Sequence, residues 1–381
     1  MDRPIVIIRN ASAHDFGGGE RFPVFLASIL INNKLNPIVL SSSLKVIKFS
    51  NEMSVPNKKS PWLKVQNWSG KRIVLTPLYL GWQIILFFWY LIYFSKTKPV
   101  AVHIQSKDDF IAATYAAKFA KSKVIWTDHA DLKHIWLNLS IWYKNPVGKL
   151  VYKAAKFADN ITVVSKSEQL FIINHLPNNS IIRDKIIVIH NGSQDFLPSV
   201  QKNKQPGFSF SIANRLVVDK GIGEAINAFK QFNLRYPDSS LVIIGGGPDE
   251  YRFKALAANH PKIIFRGHQS SPFSLIASTD VFLQPTYHEG FSVVLVEACM
   301  LGMPIIATSV GGNVEIIKDK ETGILVPEMN SDRLLEAMKL LYKDPMLRSK
   351  IALNARRRYE ESFVLEDIVV ISFIPLYGVA K

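Results

Sequence analysis

Residues 281–300 read VFLQPTYHEGFSVVLVEACM. The opening Val281 to Leu283 is a short β-prone run, Gly290-Phe291-Ser292 carries turn chemistry, and Glu297 falls within the apolar helical stretch that follows. Strand, turn and helix in such quick succession are half of a βαβ unit. His288, Glu289, Ser292 and Glu297 then fall just beyond the carboxyl end of a strand, where open α/β sheets bind ligands.

The same alternation runs outward in both directions. Further β-prone runs occupy residues 208–213, 241–244, 263–265, 305–307 and 324–326, so the second half holds six strands. Between the first two, Ile222, Ala225, Ile226, Phe229 and Phe232 share one helical face, a core-packing pattern. Upstream, residues 5–8, 100–105, 124–127, 161–164 and 186–189 repeat the pattern. The polar stretch PSVQKNKQPG at residues 198–207 separates the halves as a linker. The expected class is α/β, with two Rossmann-like domains facing each other across a cleft, over residues 1–200 and 207–360. No tandem repeat of 20–50 residues is present, which excludes a solenoid.

A chain of 381 residues exceeds what one core organises, in agreement with two domains. One cysteine, Cys299, excludes an intrachain disulfide or a Cys-based zinc cluster and suits a reducing cytoplasm. The net charge of +15 calls for an anionic partner. The cations are scattered and no nucleic-acid-binding motif accompanies them, so nucleic acid is not the expected one. The N-terminal MDRPIVIIRN turns polar too soon for a signal peptide.

Residues 78–94 are almost wholly apolar, broken by Gly81 and Gln83 and flanked by Lys71, Arg72, Lys96 and Lys98. The stretch is short of the about 20 residues a span needs. A buried core helix, a membrane-surface helix and a spanning helix all stay open.

Three motifs follow strands. Gly17-Gly18-Gly19-Glu20-Arg21 opens a helical face, where glycine amides can approach a phosphate, although Phe22 stands where the dinucleotide fingerprint needs a third glycine. Arg215 and Lys220 lie five positions apart at a strand end and suit a diphosphate; two solvated surface cations would look the same. Glu289 precedes a helix that contains Glu297, which separates the carboxylates by up to about 12 Å. A glycosidase pair needs roughly 5–9.5 Å, so these two are spaced for opposite ends of an extended ligand.

In this order, the glycine turn, Arg-Leu-x3-Lys-Gly and Glu-x7-Glu resemble GT4-type retaining glycosyltransferases of GT-B fold, the bacterial surface-polysaccharide type. His190-Asn191-Gly192, Gly245-Gly246-Gly247-Pro248, Gly311-Gly312 with Glu315, and residues 322–326 (TGILV) extend the resemblance over nearly the whole chain. It implies that residues 361–381 pack back on the N-terminal domain. It assigns Glu297 to the donor ribose, Glu289 to hydroxyls of the transferred sugar, and Arg215 with Lys220 to the diphosphate. The amides of Gly17, Gly18 and Gly19 would approach that diphosphate, and Gly290, Phe291 and Ser292 would contact donor oxygens. His129, in Trp126-Thr127-Asp128-His129, resembles the histidine that touches the donor sugar; a hydrogen-bonded structural histidine is the plain alternative.

The resemblance further implies a hexosyltransferase that retains configuration and moves sugar from a nucleoside diphosphate sugar to a glycan or polyprenyl-diphosphate-linked acceptor. O-antigen, capsule or lipopolysaccharide synthesis is the implied setting, at the inner face of the cytoplasmic membrane, with peripheral binding to anionic lipid. Asp-x-Asp occurs nowhere in the sequence, so neither cofactor nor metal is expected. A nonhydrolysing nucleotide-sugar epimerase and a non-catalytic sugar-nucleotide-binding protein are the alternatives.

Overall fold

The computed structural model describes residues 3–10, 17–61, 76–129, 132, 136, 146–204 and 206–379. The chain divides into two compact units, Met1–His190 with Glu366–Lys381, and Asn191–Leu365. Lys71, Arg72 and the last two residues of the C-terminal segment lie outside the described residues.

The first unit is built on a seven-stranded sheet in the order β3-β2-β1-β4-β5-β6-β7. The strands are β1 (Ile5–Ile8), β2 (Pro37–Ser41), β3 (Asn57–Lys59), β4 (Ala101–Ile104), β5 (Lys123–Asp128), β6 (Asn160–Val163) and β7 (Ile186–Val188). All neighbours pair in parallel. A parallel sheet is covered on both faces, so β1 and β4 are buried at every position. The sequence shows five of these strands. It misses β2, which runs straight into serines, and the polar edge strand β3, whose Asn-Lys-Lys carries no apolar signal.

Helices α1 (Gly18–Asn32), α2 (Leu44–Glu52), α3 (Thr76–Thr97) and α4 (Ala112–Phe119) cover this sheet. Tyr79, Leu86, Tyr90 and Phe94 of α3 join the core with the small residues Ala112, Ala113, Ala116 and Ala117 of α4. Small residues on one helix let the other approach closely enough to seat aromatic rings.

The C-terminal segment returns to the first unit after Leu365. Tyr377 is buried there, and its hydroxyl lies 2.8 Å from His103 Nδ1 on β4. Phe373 packs against Phe22 of α1 at 5.8 Å between ring centroids.

The second unit has a six-stranded parallel sheet in the order β10-β9-β8-β11-β12-β13. Its strands are β8 (Ser209–Ala213), β9 (Ser240–Ile244), β10 (Ile263–Gly267), β11 (Val281–Gln284), β12 (Ile305–Thr308) and β13 (Ile324–Val326). All six expected runs form strands. The helix Ile222–Arg235 buries the predicted Ile222, Ala225, Ile226, Phe229 and Phe232.

The expected linker at residues 198–207 needs correction, because the change of unit falls earlier, between His190 and Asn191. Residues 191–204 are fastened to the second unit. Asp195 pairs with Arg356 at 2.6 Å, Asn203 N donates to Ser278 Oγ, and Lys204 reaches Asp280 at 2.6 Å. Polar composition marks exposure, and these polar side chains find partners across the surface of the unit they join.

Candidate functional site

Each sheet has a topological switch point, where the strand order reverses direction around a central strand. In the second unit it lies between β8 and β11, the place where open α/β sheets bind ligands. The loop after β8 carries Arg215 and Lys220; the loop after β11 carries His288, Glu289 and Gly290. Two motifs about seventy residues apart in sequence thus become neighbours.

The loops are joined backbone to backbone. Tyr287 N donates to Asp219 O at 2.8 Å, and Thr286 Oγ1 donates to the same carbonyl at 3.1 Å. Gly221 makes this approach possible: its φ is +65°, and a Cβ there would lie 1.8 Å from Pro285 O. On the other side, Gly311 has φ +46°, and its Cβ would lie 1.8 Å from Glu289 O. The glycine pair after β12 therefore lets that loop brace the backbone of Glu289.

Within this frame Lys220 Nζ lies 2.8 Å from Glu289 Oε2. The resemblance assigned Lys220 to the diphosphate and Glu289 to hydroxyls of the transferred sugar. The structure brings them into one ion pair. Arg215, on the same loop, is exposed. Gln284, the last residue of β11, is buried and organises the cluster. Its amide accepts from Asn214 Nδ2 at 2.7 Å, donates to Ser292 Oγ at 3.1 Å, and lies 3.5 Å from Glu289 Oε2. Sequence reasoning passed over Gln284; a polar residue ending an otherwise apolar strand was the available signal.

Ser292 caps the helix Val293–Met300 by accepting from Leu295 N. Phe291 is buried with its ring 5.8 Å from that of Phe363, which fixes the turn containing Gly290. Glu297 lies within the helix, half-buried.

The first unit's switch point lies between β1 and β4. Gly17 is the N-cap of α1, and its amide donates to Glu20 Oε2 at 2.8 Å. The Gly17 amide, which the resemblance turns toward a diphosphate, is here held by the helix's own carboxylate. Glu20 Oε1 also binds Arg9 Nη2 at 2.7 Å, and Arg9 Nη1 donates to Gln105 O. Gln105 Oε1 in turn lies 3.4 Å from His129 Nε2. The glycine turn and His129 are thereby linked through Glu20, Arg9 and Gln105, none of which received a role from sequence. Glutamate at the third helical position was the legible sign for Glu20.

His129 is held well below the usual imidazole range, first by burial and then by the Arg9 charge, so it stays neutral near pH 7. Its ring meets Phe22 edge-on at 5.7 Å. A neutral imidazole can exchange hydrogen bonds with sugar hydroxyls and contributes no cation. Nearby, Asn10 Nδ2 donates to Asp109 Oδ2 at 2.9 Å and Tyr90 OH donates to Asp109 Oδ1 at 2.8 Å. Burial pushes the Asp109 carboxyl up to about 6 despite these donors. Among the described residues, no three His, Cys, Asp or Glu side chains converge as a metal site.

Residues 193–358 match the family model for glycosyl transferases group 1, and residues 16–193 match the model for glycosyltransferase family 4. The two matches meet at residue 193, close in sequence to the change of unit between His190 and Asn191. The chain belongs to the GT4-type glycosyltransferases. Among relatives of this glycosyltransferase, the capsular polysaccharide biosynthesis glycosyltransferase CapM of Staphylococcus aureus is 29% identical over 290 residues, covering 71% of this chain and 74% of that one. An Escherichia coli UDP-Gal:alpha-D-GlcNAc-diphosphoundecaprenol alpha-1,3-galactosyltransferase is 26% identical over 293 residues, covering 71% and 73%. In fold, a glycosyltransferase from Rickettsia africae superposes with TM-score 0.77 at 19% identity, over 98% of this chain and 97% of that one. Anabaena HepE, solved with UDP, gives 0.76 at 17% identity over 98% and 100%. The GT-B architecture expected from sequence is the one observed: two parallel-sheet α/β units.

Proposed function

We propose that this glycosyltransferase uses a uridine diphosphate sugar, retains configuration at the anomeric carbon, and requires no metal. The acceptor is a glycan carried on a polyprenyl diphosphate, at the cytoplasmic face of a membrane, in surface-polysaccharide assembly. The observation that carries the reading is the Lys220–Glu289 pair at the switch point, with Arg215 on the same loop. As the sugar departs, negative charge grows on the diphosphate while the ring becomes oxocarbenium-like. Lys220 and Arg215 meet that charge in place of a divalent ion, and Glu289 holds sugar hydroxyls once the donor draws Lys220 toward phosphate. The acceptor oxygen attacks C1 on the face the diphosphate leaves. Its proton passes to the leaving phosphate oxygen, so one C–O bond breaks, another forms, and charge balances.

The relatives' chemistry supports the donor and acceptor: the E. coli enzyme is named for UDP-galactose and a diphosphoundecaprenol acceptor, CapM for capsular polysaccharide, and HepE was solved with UDP-glucose. The test is transfer from a panel of nucleotide sugars to a synthetic polyprenyl-diphosphate glycan in excess EDTA, with the anomeric configuration of the product read by NMR. Retained configuration and full activity in EDTA are expected. An inverted product, or activity restored only by added magnesium, overturns the corresponding part.

A further inference from the structure

Helix α3 has two unlike faces. Tyr79, Gln83, Leu86, Tyr90 and Phe94 point inward and are buried. On the opposite side Leu78, Ile84, Ile85, Phe88 and Ile92 are 71%, 58%, 58%, 55% and 58% exposed. Scattered single exposed apolar residues are ordinary on protein surfaces, but five on one face of one helix form a continuous patch. The helix is long and apolar enough to cross a membrane. Its inner face is nevertheless committed: Gln83 Nε2 donates to Asp108 O at 2.7 Å, Gln83 Oε1 accepts from Ala112 N at 3.1 Å, and Tyr90 is bonded to Asp109. Spanning would tear these groups from their partners.

What the patch meets is indicated by its rim. Trp82, Trp89 and Tyr93 run along one flank, half-buried, with Trp89 and Tyr93 stacked at 5.6 Å. Lys58 Nζ sits 4.7 Å above the Tyr93 ring. Lys96 lies at the end of the exposed stripe, four residues after Ile92, and α3 contains no acidic residue at all. Aromatic side chains with apolar bodies and polar tips, cations at the edge and an apolar centre match the layering of a lipid surface. Two copies of this face brought together would instead set Lys96 and Lys58 against like charges with no carboxylate on the helix to offset them.

We propose that the outward face of α3 is a membrane-docking surface for anionic lipid. Through Gln83 and the Tyr90–Asp109–Asn10 bonds it holds the loop after β4 beside Arg9 and Gln105 at a fixed height above the bilayer. This deepens the lipid-linked acceptor reading and rests on it for the acceptor alone; lipid binding is measured separately.

The experiment compares the full-length protein with Ile85→Gln/Phe88→Gln/Ile92→Gln and with Lys58→Gln/Lys96→Gln. Both are assayed by co-sedimentation with vesicles of phosphatidylcholine, with and without one-third phosphatidylglycerol. The wild type should bind the anionic vesicles. The triple variant should bind at least about ten-fold more weakly, and the lysine variant should lose about five-fold per cation on anionic vesicles alone. The triple variant should also raise the KM for a bilayer-embedded acceptor while leaving transfer to a water-soluble short-chain acceptor unchanged, which shows that it is folded. Wild-type vesicle binding by the triple variant, or no binding by the wild type, overturns the proposal. So does a wild-type dimer that the triple variant dissolves without any vesicle binding, since the patch then covers a second copy. Failure of transfer to every acceptor, with vesicle binding as expected, counts against the acceptor reading and not against the docking surface.

Discussion

Lys220 Nζ and Glu289 Oε2 are 2.8 Å apart, which closes the loop after β8 onto the loop after β11 across the switch point of the second sheet. The two charges neutralise one another in a half-buried setting. Removing either partner leaves the other charged in a half-buried site.

Lys220→Ala, Glu289→Ala and Arg215→Ala should each lower kcat/KM on the order of 10² to 10³ or more. Near-native melting temperatures would show that the second unit still folds. Wild-type-like turnover in any two of them would sink the site assignment.

Gly221→Ala places a Cβ 1.8 Å from Pro285 O at a residue with φ +65°. The loop carrying Lys220 must then back away from β11. A loss of roughly 2 kcal/mol or more is expected by denaturant titration, above the usual left-handed penalty of about 1 kcal/mol. Activity should fall further than stability, because the displaced side chain is Lys220. An unchanged midpoint contradicts the close approach.

Glu20 acts through others: it caps α1, occupies the Gly17 amide and holds Arg9. Glu20→Gln keeps the hydrogen-bonding shape without the charge and should cost about 1 kcal/mol. Glu20→Ala should cost about 3 kcal/mol, since Arg9 then loses its carboxylate in a half-buried site. If the glycine turn serves the donor, KM for the donor should rise in Glu20→Ala and recover largely in Glu20→Gln.

Because burial keeps His129 neutral, kcat/KM should show no limb attributable to it near pH 6.5. The measurement is a pH–rate profile of wild type and His129→Gln. A limb between pH 6 and 7 that vanishes in the variant would contradict a neutral His129.

His103 is fully buried between Tyr377 and Thr127, and burial lowers its imidazole from the usual 6.5 or so to about 3. A depressed folded value means the unfolded chain binds the proton first as pH falls. This group's contribution to stability is thus whole above about 6.5 and is lost progressively toward pH 3, at up to about 1.4 kcal/mol per pH unit. Unfolding midpoints from pH 7 to 4 should fall less steeply in His103→Gln than in the wild type, and parallel curves would refute the assignment.

Much of this was legible in the chain. Eleven of the thirteen strands among the described residues announce themselves as β-prone apolar runs, because strands buried on both faces must be apolar. Arg215, Lys220 and Glu289 stood out as candidates because each follows such a run. Arg9, Gln105 and Gln284 were not, because a polar residue at a strand end acquires meaning only from the neighbour it faces.

The sequence by itself determined two doubly wound α/β units, a GT4-type motif set and an apolar stretch at residues 78–94 whose setting it left open. Tertiary structure alone decided that Lys220 pairs with Glu289 and that Glu20 takes the Gly17 amide. It also decided that α3 has one face in the core and the other in solvent. Apolar periodicity is a local property of the chain, whereas which side chains share a hydrogen bond, and which face of a uniformly apolar helix is covered, depends on residues far away in sequence brought beside it by the sheet.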